Sequence, residues 1–305
     1  MSFGVKPKTC FGLLGTNGAG KTTAFKMFTG DESISSGDVW TSGFSLKSQK
    51  SQAQRSVGYC PQFDALIDTL TAVELLNFYC DLRGLHPEDR KKSVDELTTV
   101  LDLTPHKNKE CGIYSGGNKR KLSTAIAMVG EPPLLFLDEP STGMDPGARH
   151  ALWDSILRMQ NRGASIILTS HSMEECEALC SKLAIMVNGQ FQCYGTVQHL
   201  RSKYGKGFTL EVALDLTRAN NETIDQEIQA AFIDNKIIVK EMHDDFITYD
   251  IPLDDGDNLS LAYLFGQMSR IKRERGLSGF SVRQRTLEEM FLNFTKSQRE
   301  DDRQN

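Results

Sequence analysis

Residues 15–23 read "GTNGAGKTT", which matches the pattern GxxxxGK[ST] at every fixed position. The apolar run "CFGLL" precedes this stretch, and the helix-like run "KTTAFKMFT" follows it and ends at Gly30. In a strand–loop–helix unit of this kind, the glycines let backbone amides point at a phosphate. A chance glycine-rich turn would explain neither flanking element. The stretch therefore predicts a phosphate cradle and an α/β fold with a buried parallel strand.

The loop offers a triphosphate a positive charge and a hydroxyl as well as amides. Lys21 reaches the β- and γ-phosphates in this pattern, and the Thr22 hydroxyl binds Mg²⁺. The residues expected to contact the phosphates are Gly15, Asn17, Gly18, Ala19, Gly20, Lys21, Thr22 and Thr23. A second candidate phosphate site follows at residues 114–123, "YSGGNKRKLS", where two glycines stand before a basic, helix-like stretch. The chain therefore contains two candidate phosphate sites.

Composition limits the partners and the compartment of the chain. Its 305 residues carry 35 Lys and Arg against 40 Asp and Glu, a net charge of −5, without the basic excess of a nucleic-acid-binding protein. The seven cysteines form no CxxC pair, which favours reduced cytosolic thiols. No apolar run approaches the roughly 18 residues of a membrane helix, and no signal-peptide pattern is visible. We expect a segment that is soluble by itself and has no nucleic-acid partner.

Strand-like and helix-like stretches alternate over the first two thirds of the chain. Short apolar runs indicate buried strands at "SVGYCPQ", "LLFLDEP" and "ASIILTSH", and "KLAIMVNGQF" indicates a hairpin that turns at Asn188-Gly189. Residues 71–104 have helical spacing, and Pro87 is expected to begin a second helix. This alternation predicts a mostly parallel sheet covered by helices.

The pattern changes near Tyr204. Strand, helix, strand, strand, helix and strand follow in turn, which is the order of a ferredoxin-like α+β unit. No motif with a chemical role occurs within it, and "TLEEMFLNF" closes it as an amphipathic helix. We therefore predict a phosphate-binding domain over residues 1–204, a small α+β domain over 205–294 and a polar tail over 295–305.

Four further residues follow strand-like stretches. Asp138 and Glu139 end "LLFLDE", and because side chains alternate along a strand, their carboxylates are expected to face different neighbours. Asp138 would then hold Mg²⁺, and Glu139 would face an attacking water. Gln62 after "YCP" and His171 after "IILTS" would mean little alone, since a single histidine is more often structural than catalytic.

The order of these motifs resembles that of an ATP-binding-cassette (ABC) ATPase. Phosphate loop, Gln62, "SGG", Asp138-Glu139, "STGMD" and His171 follow one another as in that family. The stretches "GYCPQFDALIDTLTAVE", "YSGGNKRKLS", "LDEPSTGMDP" and "TLEEMFLNF" resemble the nucleotide-binding domains of the A subfamily of ABC transporters, and "YSGGN" is similar to their second, C-terminal cassette. The resemblance covers nearly the whole chain. It implies a P-loop ABC-type ATPase domain with a helical signature subdomain, followed by a small regulatory domain.

The resemblance also implies a role for each motif residue. The 15–23 loop would hold the phosphates of ATP, and Thr22, Gln62 and Asp138 would bind Mg²⁺. The implied catalytic residues are Lys21, Gln62, Glu139 as general base and His171 at the γ-phosphate. The residues implied to act at an interface with a second cassette are Ser115, Gly116 and Gly117, which would clamp its ATP, and Asp145.

By the same resemblance, the chain is one half of a larger assembly. A second nucleotide-binding cassette would complete a sandwich dimer, and transmembrane domains of the same full-length protein would place both cassettes at the cytoplasmic face of a membrane. The "SGG" site would then serve the partner's nucleotide. The function implied is ATP binding and hydrolysis that power transport, most of all of lipids.

One departure and three alternatives qualify this interpretation. Family cassettes stack adenine on an aromatic residue upstream of the phosphate loop, in a segment that this chain lacks, so we expect a fragment without the first strands. The alternatives are a separate ATPase subunit of a small-molecule exporter, a regulatory or translation-type cassette protein, and a nucleotide-binding module without turnover.

Overall fold

The structure is a computed structural model that describes residues 2–205, 207–214, 221–232, 237–253 and 259–292. The polar tail predicted over 295–305 lies outside these residues. The chain divides into two compact units, of which the first extends to Val197 and the second begins at Gln198. The domain limits placed at 204 and 294 by the sequence stay predictions.

The first unit alternates strands and helices. Its elements are β1 (Cys10–Leu14), α1 (Lys21–Thr29), β2 (Trp40–Thr41), β3 (Phe44–Ser45), α2 (Lys50–Arg55), β4 (Val57–Cys60), α3 (Ala72–Leu82), α4 (Pro87–Val100), α5 (Gly116–Met128), β5 (Leu134–Asp138), α6 (Pro146–Arg162), β6 (Ser165–Ser170), α7 (Met173–Leu179), β7 (Lys182–Val187) and β8 (Gln190–Thr196). The next helix, α8 (Val197–Tyr204), belongs to the second unit except for its first residue. The predicted hairpin is confirmed, because β7 and β8 are antiparallel neighbours. The turn residues Asn188 and Gly189 both have positive φ, as a two-residue type I′ turn requires.

Six strands form the central sheet in the order β4-β5-β6-β1-β7-β8. The β4–β5, β5–β6, β6–β1 and β1–β7 pairs are parallel, and only the edge strand β8 runs antiparallel to its neighbour. The prediction of a mostly parallel sheet is therefore confirmed. The carboxyl ends of β4, β5, β6 and β1 lie side by side along one edge of this sheet.

Helices cover both faces of the sheet. Phe11 of β1 points towards α1 and joins an aromatic cluster in which Phe25 packs edge-to-face on Phe136, with ring centroids 5.3 Å apart. Gly12, the next residue of β1, faces α7, and a Cβ at this position would lie 3.2 Å from Cys176 Sγ. The strand is thus buried on both sides, which explains why its sequence is a continuous apolar run.

Three helices between β4 and β5 pack on one another, and α5 also packs on β4 and β5. α3 begins with a capping box, in which the Thr71 hydroxyl accepts from the Glu74 amide at 3.2 Å and the Glu74 carboxylate accepts from the Thr71 amide at 2.8 Å. α4 begins at Pro87, as predicted. α5 begins after Ser115, whose hydroxyl accepts from the Asn118 amide at 3.3 Å. These helices form the subdomain that the resemblance implies.

The second unit is an antiparallel sheet with helices. Its elements are β9 (Gly207–Ala213), α9 (Asn221–Ala231), β10 (Ile238–Met242), β11 (Phe246–Pro252), α10 (Leu261–Arg275) and β12 (Gly279–Gln284), and residues 287–292 are helical. The strand order β10-β11-β9-β12 is that of a ferredoxin-like sheet, as predicted. No helix in the described part of the chain is long and apolar enough to cross a lipid bilayer.

Glu289 fastens the helix at 287–292 to the sheet of the second unit. Its carboxylate accepts hydrogen bonds from the Thr209 hydroxyl of β9 and from the Thr286 amide, each at 3.0 Å. It also forms an ion pair with Lys240 of β10 at 3.1 Å. Burial by itself would raise the pKa of Glu289, but the amide, the ammonium and the hydroxyl together lower it to about 2 from the ordinary value of 4.5.

Acid is expected to destabilise the second unit through Glu289. A carboxylate whose pKa is lowered by folding stabilises the folded state above its ordinary pKa of 4.5, and this contribution is lost as the pH falls towards 2. The fall of the pKa from 4.5 to about 2 limits this contribution to no more than about 3.4 kcal/mol. Glu289→Gln should lower the free energy of unfolding at pH 7, and variant and wild type should converge between pH 4.5 and 2. Denaturant unfolding over this pH range measures the difference, and a difference independent of pH would contradict the assignment.

Candidate functional site

The carboxyl ends of four adjacent strands carry the residues singled out in the sequence. β1 leads into the 15–23 loop, β4 leads to Gln62, β5 ends at Asp138 with Glu139 directly after it, and β6 leads to His171. The strand order sets these four ends next to one another. Groups that are far apart in the sequence are thus brought to one edge, the usual place of ligands in open α/β sheets.

The phosphate loop has the conformation that its glycines allow. Gly18 and Gly20 have φ of 82° and 98°, in the left-handed region that disfavours other residues. A Cβ on Gly15 would lie 2.8 Å from the carbonyl oxygen of Met186, which is closer than real contacts permit. The loop then enters α1, so the free amides at the N-terminus of this helix face the same edge of the sheet.

The β7–β8 turn supports the loop from its outer side. The Gly189 amide donates a hydrogen bond to the Ala19 carbonyl at 2.9 Å. A Cβ on Gly20 would lie 3.6 Å from Gly189 Cα. Sequence reasoning found the turn, but it did not predict this contact between turn and loop.

Lys21 places its ammonium at the centre of the loop. Its side chain is 5% exposed, and Nζ donates to the carbonyl oxygens of Gly15 at 2.9 Å and Thr16 at 3.1 Å. Nζ also lies 3.3 Å from Oε1 of Glu139, whose side chain is 6% exposed. The buried cation therefore connects the loop with the carboxylate that follows β5.

Asp138 is fully buried, and its two carboxylate oxygens differ in their hydrogen bonding. Oδ1 accepts a hydrogen bond from the Thr169 hydroxyl of β6. Oδ2 has no hydrogen-bond partner among the described residues, and such an atom costs on the order of 1–3 kcal/mol. Burial raises the pKa of Asp138, while the hydroxyls of Thr169 and Thr22 act in the opposite direction. The carboxylate and the Thr22 hydroxyl present the oxygen ligands that Mg²⁺ prefers.

The acidic pair is also consistent with Mg²⁺ bound together with a substrate. In the described part of the chain, no group of three or more His, Cys, Asp and Glu side chains could hold a metal ion. Mg²⁺ is usually held by one or two protein ligands plus phosphate oxygens and water, without an all-protein cage. The residues present therefore fit a magnesium ion that arrives with a nucleotide.

The backbone of Glu139 adopts an unusual conformation. Its φ is 48°, and the residue is held there by its amide, which donates to Oγ1 of Thr169 at 2.9 Å. Oε2 accepts from the Thr142 hydroxyl at 3.2 Å and lies 3.3 Å from Nδ1 of the half-exposed His171. The two carboxylates face different neighbours, as predicted. A positive φ of a non-glycine residue costs about 1–3 kcal/mol and is common at functional sites.

Gln62 is joined to the acidic residues through Arg120, which sequence reasoning missed. The Gln62 carbonyl accepts from Nη1 of Arg120 at 3.2 Å, and the Glu139 carbonyl accepts from Nη2 at 3.0 Å. The Arg120 side chain is 4% exposed. The sequence carried no signal of this role, since the neighbouring apolar residue Leu122 lies two positions on and residues two apart on a helix do not share a face.

The second candidate phosphate site, formed by Ser115, Gly116 and Gly117, lies at the N-terminus of helix α5. Ser115 caps its own helix α5, and Asp145 accepts from the Ala148 amide at 3.0 Å and caps its own helix α6. Apart from the chain neighbours and the backbone of α5 itself, no heavy atom of the described residues lies within 4 Å of a Cβ placed on Gly116 or Gly117. The glycine edge at the start of the 13-residue helix α5 is thus uncovered within the described residues.

Comparison with protein families finds matches along most of the chain. The family described as "ABC transporter" matches residues 1–142. The family described as "ABCA1-like, C-terminal R1 regulatory domain" matches residues 205–284. A family described as "AAA domain, putative AbiEii toxin, Type IV TA system" matches residues 114–177, the stretch with "YSGG" and the acidic pair.

Several curated proteins resemble the chain over almost its full length. The phospholipid-transporting ATPase ABCA3 of Mus musculus is 48% identical over 98% of this chain and 17% of that protein. The ATP-binding cassette sub-family A member 2 of Homo sapiens is 46% identical over 98% of this chain and 12% of that protein. The retinal-specific phospholipid-transporting ATPase ABCA4 of Bos taurus is 45% identical over 97% of this chain and 13% of that protein. The chain spans less than a fifth of the length of these relatives.

Solved structures agree with these matches. The ATP-binding subunit of an ABC transporter is 30% identical, with a TM-score of 0.62, over 67% of this chain and 85% of that chain. A dimeric ATP-binding cassette in a post-hydrolysis state with ADP and phosphate shares the fold at 18% identity, with a TM-score of 0.59, over 64% of this chain and 88% of that chain. The predicted P-loop ABC-type fold is therefore confirmed. The chain belongs to the ABC transporter family and is homologous over 97–98% of its length to members of the A subfamily.

Proposed function

We propose that this chain binds and hydrolyses ATP with Mg²⁺, and that hydrolysis powers lipid transport by an A-subfamily transporter. The observation that carries the ATPase proposal is the row of contacts from Lys21 through Glu139 to His171, each 3.3 Å long, beside the phosphate loop. This row places the Glu139 carboxylate between the Lys21 ammonium and the His171 imidazole, and both of these groups can contact a terminal phosphate. The names of the curated relatives support lipid as the cargo.

ATP would be held through its phosphates by the 15–23 loop. The amides of the loop and of the first turn of α1 suit the negative oxygens, and Lys21 adds a full charge. The Lys21 ammonium donates to the carbonyl oxygens of Gly15 and Thr16, and a phosphate oxygen is a stronger, charge-assisted acceptor. We expect Lys21 to exchange these carbonyls for the γ-phosphate and to loosen its ion pair with Glu139 as it does so.

A bound magnesium ion would supply positive charge to the phosphates of ATP. Asp138 Oδ2, the Thr22 hydroxyl and Gln62 would hold the ion. The buried, unpartnered Oδ2 atom supports this assignment, since a bound cation would remove the cost of leaving that oxygen without a partner. The other oxygen of Asp138 is fixed by Thr169, which leaves Oδ2 in a single orientation.

Glu139 would accept the proton of the attacking water. Its Oε2 is held by the Thr142 hydroxyl and lies next to His171, and a carboxylate positioned in this way can act as a general base. His171 is 53% exposed, so its imidazole is free to approach a γ-phosphate at the surface of the loop. The protein's contribution to phosphoryl transfer is then positioning and electrostatics, as is general for this reaction.

A second cassette is the partner that the open glycine edge supports. Ser115, Gly116 and Gly117 present a helix N-terminus whose nearest neighbours leave space for a phosphate. In the proposed sandwich, this edge covers ATP held by the other cassette, and Asp145 acts at the interface. A dimeric ATP-binding cassette with the same fold supports this proposal. Transmembrane domains of the same full-length protein would carry the lipid past the cytoplasmic face of the membrane.

The proposal can be tested with a chimera of mouse ABCA3 in which this chain replaces the matching segment. The purified chimera is then reconstituted in lipid vesicles. ATP-dependent phospholipid movement at more than about half of the parental rate is expected, because the replaced segment is 48% identical. ATP hydrolysis without lipid movement would favour the exporter-subunit alternative. Absence of hydrolysis in a folded chimera that binds ATP would favour the module without turnover.

A further inference from the structure

We propose that Arg120 is a positioning residue that fixes the distance between the Gln62 segment and the Glu139 segment, and ties both to helix α5, which begins after Ser115. This inference rests on the proposed ATPase function for its kinetic consequence. The structural observation behind it is one buried guanidinium that hydrogen-bonds to two catalytic segments at once.

The guanidinium has six acceptors in two groups. On the β5 side, the acceptors are the carbonyl oxygens of Asp138, of Glu139 at 3.0 Å and of Pro140 at 3.0 Å. On the β4 side, they are the carbonyl oxygens of Pro61 at 2.5 Å and Gln62 at 3.2 Å and the carboxylate of Asp64 at 3.1 Å. Arg120 has five N–H groups, and Nη1 alone serves three acceptors, so every donor of the side chain is engaged.

The chemistry of these contacts explains why arginine is needed. A guanidinium is planar and rigid, so its two edges hold acceptors on opposite sides at a fixed separation. A lysine ammonium is a compact charge at the end of a flexible chain, and it cannot reach both groups. Hydrogen bonds from a charged donor contribute about 1.5–3 kcal/mol each when buried, so the two segments are held firmly. Asp64 provides a negative partner that offsets the burial of the charge.

The placement of Arg120 links the two candidate phosphate sites within one chain. Arg120 lies in the second turn of α5, whose first turn is the open Ser115–Gly117 edge. A shift of α5 when that edge engages a nucleotide would move the guanidinium and, with it, the carbonyls next to Gln62 and Glu139. The residue therefore provides a physical connection between the partner's ATP and the base that acts on this chain's own ATP.

The test compares Arg120→Lys with a matched arginine. Arg83 also donates to two carbonyl oxygens, of Arg55 at 3.3 Å and of Val57 at 2.7 Å, but at the opposite, amino end of β4. In the purified chain, Arg120→Lys should lower kcat for phosphate release at least about tenfold with KM for ATP within about threefold. Arg83→Lys should leave kcat within about twofold, although both variants lower the melting temperature.

Hydrogen exchange provides a readout that does not depend on turnover. Peptides covering residues 61–66 and 138–142 should exchange at least about tenfold faster in Arg120→Lys, while the β1 peptide at 10–14 stays as in wild type. Unchanged exchange in both peptides would overturn the inference, as would a normal kcat in a folded variant. A wild-type chain that binds but does not hydrolyse ATP would overturn the proposed function, and the exchange result would still decide the role of Arg120.

A milder variant covers the case in which Arg120→Lys does not fold. Asp64→Asn removes the negative partner and leaves the five carbonyl acceptors in place. Faster exchange in 61–66, with the Kd for ATP within about twofold of wild type, would support the positioning role. Exchange that matches wild type in this folded variant would overturn it.

Discussion

Replacing Glu139 by Gln should lower kcat for ATP hydrolysis by at least about 100-fold, because an amide cannot accept the proton of the attacking water. The Kd for ATP should stay within about threefold of wild type, since the phosphates rest on the 15–23 loop. The substitution keeps the size of the side chain and its contact with Thr142 but removes the ion pair with Lys21, so the melting temperature of the variant is measured beside its rate. Phosphate release by the purified chain, beside titration with a fluorescent ATP analogue, separates the two quantities.

A second buried glutamate provides the control for Glu139→Gln. Glu175 of α7 is 1% exposed, and its carboxylate accepts a hydrogen bond from Nε1 of Trp153 at 3.1 Å. Glu175→Gln keeps an acceptor for the indole and lies outside the proposed catalytic row, so its kcat should remain within about threefold of wild type. Turnover by Glu139→Gln at the level of this control would reject Glu139 as the base.

Replacing Lys21 by Ala should raise the Kd for ATP at least about tenfold, because it removes a charge-assisted contact worth about 1.5–3 kcal/mol. It should also destabilise the fold, since Glu139 is buried and would lose its cationic partner. A double-mutant cycle with Glu139→Gln tests this second effect. The double variant should melt at a higher temperature than Lys21→Ala alone.

Lys26 is the matched control for Lys21. It lies on the same helix α1, near the end distant from the loop. Lys26→Ala should leave the Kd for ATP within about twofold of wild type. If Lys26→Ala and Lys21→Ala weakened ATP binding equally, the effect would belong to the charge of the helix as a whole, and the specific role of Lys21 would be wrong.

Much of the fold could be predicted because local patterns determine it. Gly18 and Gly20 adopt the positive φ values that their place in GxxxxGK[ST] requires, and Asn188-Gly189 forms the turn that this dipeptide favours. The apolar runs became the buried strands of the sheet, and Pro87 began a helix. Each of these outcomes follows from the residue itself or from its immediate neighbours.

The arrangement of the site depended on long-range pairing that no local pattern reveals. The sequence predicted that Gln62, Asp138 and His171 follow strands, but the order β4-β5-β6-β1 that sets them side by side comes from the assembled sheet. The unpartnered Oδ2 of Asp138 and the positive φ of Glu139 are likewise consequences of packing around Thr169.

Arg120 shows a further limit of sequence reasoning. Five of its six acceptors are backbone carbonyls, which every residue possesses, so nothing in the sequence of the 61–64 or 138–140 segments marks them as partners. Arg120 lies in the stretch "YSGGNKRKLS", but only Ser115, Gly116 and Gly117 of that stretch have side-chain or backbone roles that the motif indicates. Motifs mark residues whose side-chain chemistry is needed, whereas a residue that holds backbone segments in place is visible only in the structure.

The central claim is that the two glycine-rich sites of this chain serve two different nucleotides, and Gly117→Asp tests it most directly. A Cβ at this open position meets no atom of the described residues within 4 Å other than its chain neighbours and the backbone of α5, so the variant should fold, while its carboxylate would repel a triphosphate. Fluorescent-nucleotide titration should give a Kd for ATP within about twofold of wild type, in contrast to Lys21→Ala, while phosphate release at chain concentrations that allow pairing falls at least about tenfold. Normal phosphate release by the folded variant, or a loss of ATP affinity as large as that of Lys21→Ala, would contradict the claim.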